Sequence, residues 1–124
     1  MTLVLDAGAL IAVERGDRDT AAVIEVARLE DRTVVVPAGV VGQVWRGGGR
    51  QAKLARLLNA HDVVVEPLTA AGARAAGLLC GAAGTTDVID ASVVLAARRH
   101  GATVLSSDRA DLEVLDPTIP VVDC

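Results

Sequence analysis

The stretch Thr2-Leu3-Val4-Leu5-Asp6-Ala7-Gly8-Ala9-Leu10-Ile11 decides the fold. A short aliphatic run stops at an aspartate and passes at once into an apolar segment without β-branched clustering. A strand covered on both faces is continuously apolar rather than alternating. An aspartate at the junction caps the helix that follows. The first ten residues therefore read as a buried strand feeding a helix.

The same unit returns along the chain. Residues 33–36 are β-branched and end at Pro37; residues 62–65 end at Glu66-Pro67; residues 102–105 run into Ser106-Ser107-Asp108; residues 119–122 make a last strand. Helices are predicted between them. The first covers residues 8–13 and stops near Gly16. The second covers 18–30, capped by Asp17, with Ala22, Val23, Val26 and Leu29 inward. Then come 38–46, and 50–60 with Leu54, Leu57 and Leu58 inward. Residues 69–80 form the next, followed by a loop over 81–84. Thr85 or Thr86 caps a long helix to His100 that Gly101 stops, and Arg109–Leu115 adds a last turn or two. Strands alternating with helices specify an α/β protein, a three-layer α/β/α sandwich around a parallel sheet of four to five strands. At 124 residues it reads as one domain, residues 1–124, with no internal repeat or linker.

Composition narrows the function. Trp45 is the one aromatic residue, with no Phe and no Tyr, so folds that stack bases on rows of aromatics are disfavoured. No GxxxxGK[ST] and no GxGxxG follows the first strand, which removes the phosphate-cradling nucleotide folds. Cys80 and Cys124 are far apart and read as free thiols, and neither they nor His61 and His100 form a zinc pattern. With no basic leader ahead of the first strand and no apolar run of membrane length, a cytoplasmic, membrane-free protein is expected. The net charge of −4 is unevenly spread. Residues 32–61 contain no acid and carry +5, which leaves −9 on the rest. An acidic site beside a basic flank suits metal-dependent phosphodiester chemistry.

Four aspartates stand where that chemistry would be built. Asp6 closes the first strand, Asp108 follows the fourth, and Asp87 and Asp90 lie one helical turn apart where the long helix begins. In open α/β sheets ligands sit beyond the carboxyl ends of strands at a topological switch point. Gathered carboxylates are costly without a cation, and hard divalent ions prefer oxygen ligands. Hydrolysis by water activated at a divalent ion is the leading reading. Three of the acids also have a plain structural role open to them: a helix cap for Asp6, a first-turn acid for Asp87, a turn former for Asp108; Asp90, on an otherwise apolar helix, is harder to explain structurally.

Leu3-Val4-Leu5-Asp6-Ala7-Gly8-Ala9-Leu10-Ile11, Val88-Ile89-Asp90-Ala91-Ser92 and Val104-Leu105-Ser106-Ser107-Asp108-Arg109-Ala110-Asp111-Leu112 resemble, in order and spacing, three motifs of the PIN-domain ribonucleases, and among these the VapC toxins of bacterial toxin–antitoxin pairs. The resemblance spans the chain. It implies endonucleolytic cleavage of RNA with Mg²⁺ or Mn²⁺, a homodimer, and a small antitoxin that plugs the acidic site. It assigns Asp6, Asp90 and Asp108 to the catalytic, metal-holding acids.

One position departs from the pattern. Where the family carries a glutamate after the second strand, this chain has Gln43, which removes a charge. Asp87, one turn before Asp90, is expected to restore it, with Glu14 as a second candidate. The departure also favours a rival reading, a module that binds RNA or a protein without cutting. Ser107 is a candidate to hydrogen-bond a carboxylate or the scissile phosphate. Arg46, Arg50, Lys53 and Arg56 recur at offsets of four, three and three, a basic stripe fit to follow an RNA backbone or to serve as a solvated or partner-facing surface. Trp45 reads as a core or interface anchor rather than a base-stacking residue.

Overall fold

The protein is described by a computed structural model covering residues 2–124. Five strands, β1 (Thr2–Leu5), β2 (Thr33–Pro37), β3 (Val63–Glu66), β4 (Thr103–Ser106) and β5 (Val121–Asp123), form one sheet in the order β3-β2-β1-β4-β5. Every neighbouring pair is parallel. Seven α-helices flank it: α1 (Ala7–Glu14), α2 (Arg18–Leu29), α3 (Ala38–Val44), α4 (Ala52–Leu58), α5 (Ala70–Ala83), α6 (Val88–His100) and α7 (Arg109–Leu115). This is the α/β/α sandwich expected from the apolar strand runs, and Val4, Leu5, Val34, Val36, Val104 and Leu105 are fully buried in it.

The order fixes the site. From β1 the chain steps outward to β2 and β3, then crosses to the other side of β1 for β4 and β5. The switch point is therefore between β1 and β4, whose register sets Leu5 against Leu105. The next residues, Asp6 just past β1 and Ser106 at the end of β4, therefore stand side by side.

Several local expectations are corrected. Helix α5 continues through Gly81 to Ala83, with Gly84 in the left-handed region at φ 72°, so the loop expected over 81–84 is the last turn and cap of the helix. Neither Thr85 nor Thr86 caps α6; Asp87 does, accepting from the Ile89 and Asp90 amides. On α2 the buried line is Thr20, Ile24 and Ala27, while Val26 and Leu29 face outward; polar Thr20 belongs inside because its hydroxyl is satisfied by Asp17. Helix α3 ends at Val44 rather than Arg46, and the next segment opens with a short 3-10 turn, Gly49–Gln51, before α4. The last strand begins at Val121 and includes Asp123. Gly101 stops α6 with φ 58°, as predicted.

Candidate active site

Asp6 is the buried member of the acidic group, 3% exposed. One of its oxygens caps α1 by accepting from the Ala9 amide at 3.0 Å; the other accepts from the Ser106 hydroxyl in a short hydrogen bond. Ser106 Oγ accepts in turn from the Asp108 amide at 2.8 Å. One buried hydroxyl thus ties the acid after β1 to the backbone of the acid after β4. Burial raises the Asp6 carboxyl above the ordinary carboxylate range; the Ser106 and Ala9 bonds oppose this, and the Asp108 charge adds to it. The cap role does not exhaust Asp6, because each carboxylate oxygen has two lone pairs.

Asp87 uses one oxygen, Oδ1, to cap α6, at 3.1 Å from the Ile89 amide and 2.9 Å from the Asp90 amide. Asp90, half-buried one turn on, is pushed up to about 7. Burial is the largest cause, followed by the charges of Asp87 and Asp111, a shared hydrogen bond with Asp87, and the charge of Asp108. The topology therefore brings Asp6, Asp87, Asp90 and Asp108 into one electrostatic neighbourhood and adds a fifth acid, Asp111, on the first turn of α7. Sequence reasoning passed over Asp111, although it lies one helical turn after Asp108, the relation that singled out Asp87 and Asp90. None of the five has an Arg, Lys or His partner among the described residues.

The serine expectation is half met. Ser106, fully buried, makes the carboxylate bond expected of Ser107 and also accepts from the Asp108 amide. Ser107 is exposed and leans over α1, where a side chain at Gly8 would overlap its hydroxyl. Gly8 is thus required by this close approach. Gln43 is exposed on α3 and Glu14 sits at the far end of α1, and neither bonds to the acidic group among the described residues. Ile89, between Asp87 and Asp90, packs on α3 so tightly that a Cβ at Gly39 would be 2.5 Å from its Cδ1.

The donor set suits a divalent ion. It is all carboxylate oxygen, the preference of Mg²⁺ and Mn²⁺, and its mutual repulsion is what a cation would relieve. Among the described residues no three such side chains already stand at mutual ligand distance. Mg²⁺ needs only one or two carboxylates with several waters, so the arrangement fits a hydrated ion rather than a closed cage.

The basic residues are distributed differently from the predicted stripe. Arg46 lies in the extended segment after α3, Arg50 in the 3-10 turn, and Lys53 and Arg56 on α4, so no single helix carries all four. All are exposed and none forms an ion pair among the described residues. Trp45, expected to be an anchor, is 41% exposed.

Residues 3–116 match the PIN domain family. The chain belongs to that family. This PIN domain is also similar to three solved structures. VapBC2 from Rickettsia felis, bound to a DNA fragment from its promoter, gives a TM-score of 0.73 at 14% identity, covering 100% of this chain and 99% of that one. FitAB bound to an IR36 DNA fragment gives 0.66 at 16%, covering 98% and 94%. FitAcB from Neisseria gonorrhoeae gives 0.63 at 17%, covering 96% and 95%. At these identities the likeness establishes the fold. No functionally curated protein matches the chain in sequence. Among the described residues no single helix is long and apolar enough to cross a membrane.

Proposed function

We propose that this PIN domain is a divalent-cation-dependent endoribonuclease, the toxin of a toxin–antitoxin pair. The observation that carries the reading is the set of five uncompensated carboxylates at the β1/β4 switch point. Asp6, Asp90 and Asp108, with Asp87, are the residues proposed to hold Mg²⁺ or Mn²⁺. A cation there supplies Lewis-acid stabilisation of the phosphate and makes water more acidic. Asp87 supplies the negative charge that Gln43 lacks, and Asp111 adds a further one. Ser106 holds Asp6 in a fixed rotamer and sets the backbone that carries Asp108. Half-buried Asp90, raised by burial and by the neighbouring acids, is the member whose charged form a bound cation would favour most. Arg46, Arg50, Lys53 and Arg56 bind the RNA backbone.

The VapBC2 and FitAB likenesses support an antitoxin partner, whose basic side chains would meet the acidic site, and the exposed apolar face of α2 supports a homodimer. Residues 1–124 act as one domain in the cytoplasm. A second reading, a module that binds RNA or a protein without cutting, is favoured by Gln43, which is neutral and makes no bond to the acids.

The test is cleavage of a structured RNA pool by protein freed of any antitoxin, with Mn²⁺, Mg²⁺ or EDTA, and with Asp90→Asn in parallel. Cuts that need the metal and vanish in the variant support the nuclease. A folded protein that binds RNA and never cuts it supports the second reading.

A further inference from the structure

Trp45 is held out of the core by construction rather than by chance. The loop that carries it is fastened from below by Gln51, a polar side chain only 4% exposed. Gln51 Oε1 accepts from the Arg46 and Gly47 amides, both at 2.8 Å, and its Nε2 donates to the Val44 carbonyl at 2.8 Å. Arg46 folds back, its guanidinium donating to the Trp45 carbonyl at 2.7 Å. Gly47 and Gly48 adopt φ of 79° and 89°, and a Cβ on either would meet open space. These glycines are thus needed for the backbone turn and not for clearance. A buried amide committed to three backbone groups fixes the backbone on either side of Trp45 before any ligand arrives, and such preorganisation lowers the entropy cost of binding.

The segment that carries Trp45 favours a polyanion. Arg46, Arg50, Lys53 and Arg56 lie in an acid-free stretch and have no internal ion pairs among the described residues. Helix α3 links this platform to the acids: its Gly39 packs on Ile89, between Asp87 and Asp90, and Trp45 follows its last residue. Seven helical residues span about 10 Å, the length of about three stacked nucleotides at about 3.4 Å each.

We propose that Trp45, on a backbone preset by Gln51 and within this acid-free basic segment, is a stacking platform for a base of single-stranded RNA about three nucleotides from the acidic site. Base–aromatic stacking accepts any base, so the platform sets how RNA lies across the site without reading its sequence. The proposal rests on the RNA-cleaving reading for the identity of the ligand, and its test does not require cleavage.

Trp45 is the protein's one fluorophore of its kind, with no Tyr beside it. Its emission is followed in EDTA during titration with a single-stranded RNA decamer, an abasic decamer of the same backbone, and inorganic polyphosphate. The base-bearing RNA is expected to quench the emission, whereas the other two bind without quenching. Trp45→Ala should weaken RNA binding about 5- to 150-fold and Trp45→Phe much less, with circular dichroism showing both variants folded. Equal quenching by the abasic strand, or unchanged RNA affinity in folded Trp45→Ala, overturns the platform. Quenching by a co-expressed protein partner and not by RNA overturns it in favour of a protein-interface anchor. Failure of the nuclease reading looks different, as bases still quench Trp45 while no metal condition yields cuts.

Discussion

Two populations of carboxylate share this molecule and behave in opposite ways. Away from the site four acids are held by cations: Asp62 with Arg28 at 2.8 Å, Asp116 with Arg98 at 2.7 Å, Glu66 with Arg99 and His100 at 2.8 and 3.0 Å, Asp123 with Arg109 at 2.9 Å. Hydrogen bonds and opposite charge hold all four below their ordinary range. At the β1/β4 edge, Asp6 and Asp90 are raised by burial and by other acids. The protein pairs these four with cations and leaves the acids gathered at the β1/β4 switch point unpaired. An uncompensated cluster lowers stability, so it persists where something else repays it.

The contrast breaks first at Asp90. Asp90→Asn should lower RNA cleavage by about 10²–10³-fold while raising the melting temperature in EDTA, because one repelling charge is gone. Adding Mn²⁺ should stabilise the parent by about 2.7 kcal/mol at a hundred times its dissociation constant and the variant much less. Thermal melts with and without metal check both. A variant destabilised in EDTA would place Asp90 among the structural acids.

Ser106→Ala removes the tether between Asp6 and the Asp108 backbone. Mn²⁺ affinity should fall about 10- to 100-fold, the usual effect of losing a group that orients a ligand. Ser107→Ala is expected to change it little. Calorimetric titration of both variants separates the two serines.

A structural acid should show the opposite pattern. Asp116→Ala strips partners from Thr118 and Arg98 and should cost about 2 kcal/mol in urea unfolding, with metal affinity unchanged. The pH dependence has a defined sign. Thr118, through its hydroxyl and amide, and then the Arg98 guanidinium hold Asp116 at about 2 against an ordinary 3.8. A lowered folded value means the contribution is complete above about pH 4 and is lost as pH falls toward 2. Asp116→Asn should therefore flatten the drop in urea midpoint over that interval. The smallest effect is on the basic side: Arg50→Ala with Lys53→Ala should reduce the log–log salt slope of RNA binding by about 0.7 per lost phosphate contact.

Much of this was legible in the residues. Asp6 and Asp108 could be placed at strand ends because each closes an apolar run. Asp87 and Asp90 could be paired because helical spacing is local. The same logic failed over residues 81–84, where the glycines at 81 and 84 suggest a loop. Glycine weakens a helix by only about 1 kcal/mol, and α5 packing on α6 outweighs that. It failed again for Val26 and Leu29, since apolar residues recur on two sides of α2 and only the sheet decides which side it covers.

By itself the sequence determined the alternation of apolar strands with helices and the positions of the acids within them, because burial and helical periodicity are written in neighbouring residues. Only the tertiary structure decided that β1 lies beside β4. With that came the Asp6–Ser106 bond across a hundred residues and the entry of Asp111 into the acidic group; loop packing likewise decided the exposure of Trp45 and the burial of Gln51 beneath its backbone bonds. Those depend on which strands and loops meet in space, a contest among long-range packing alternatives that local pattern does not record.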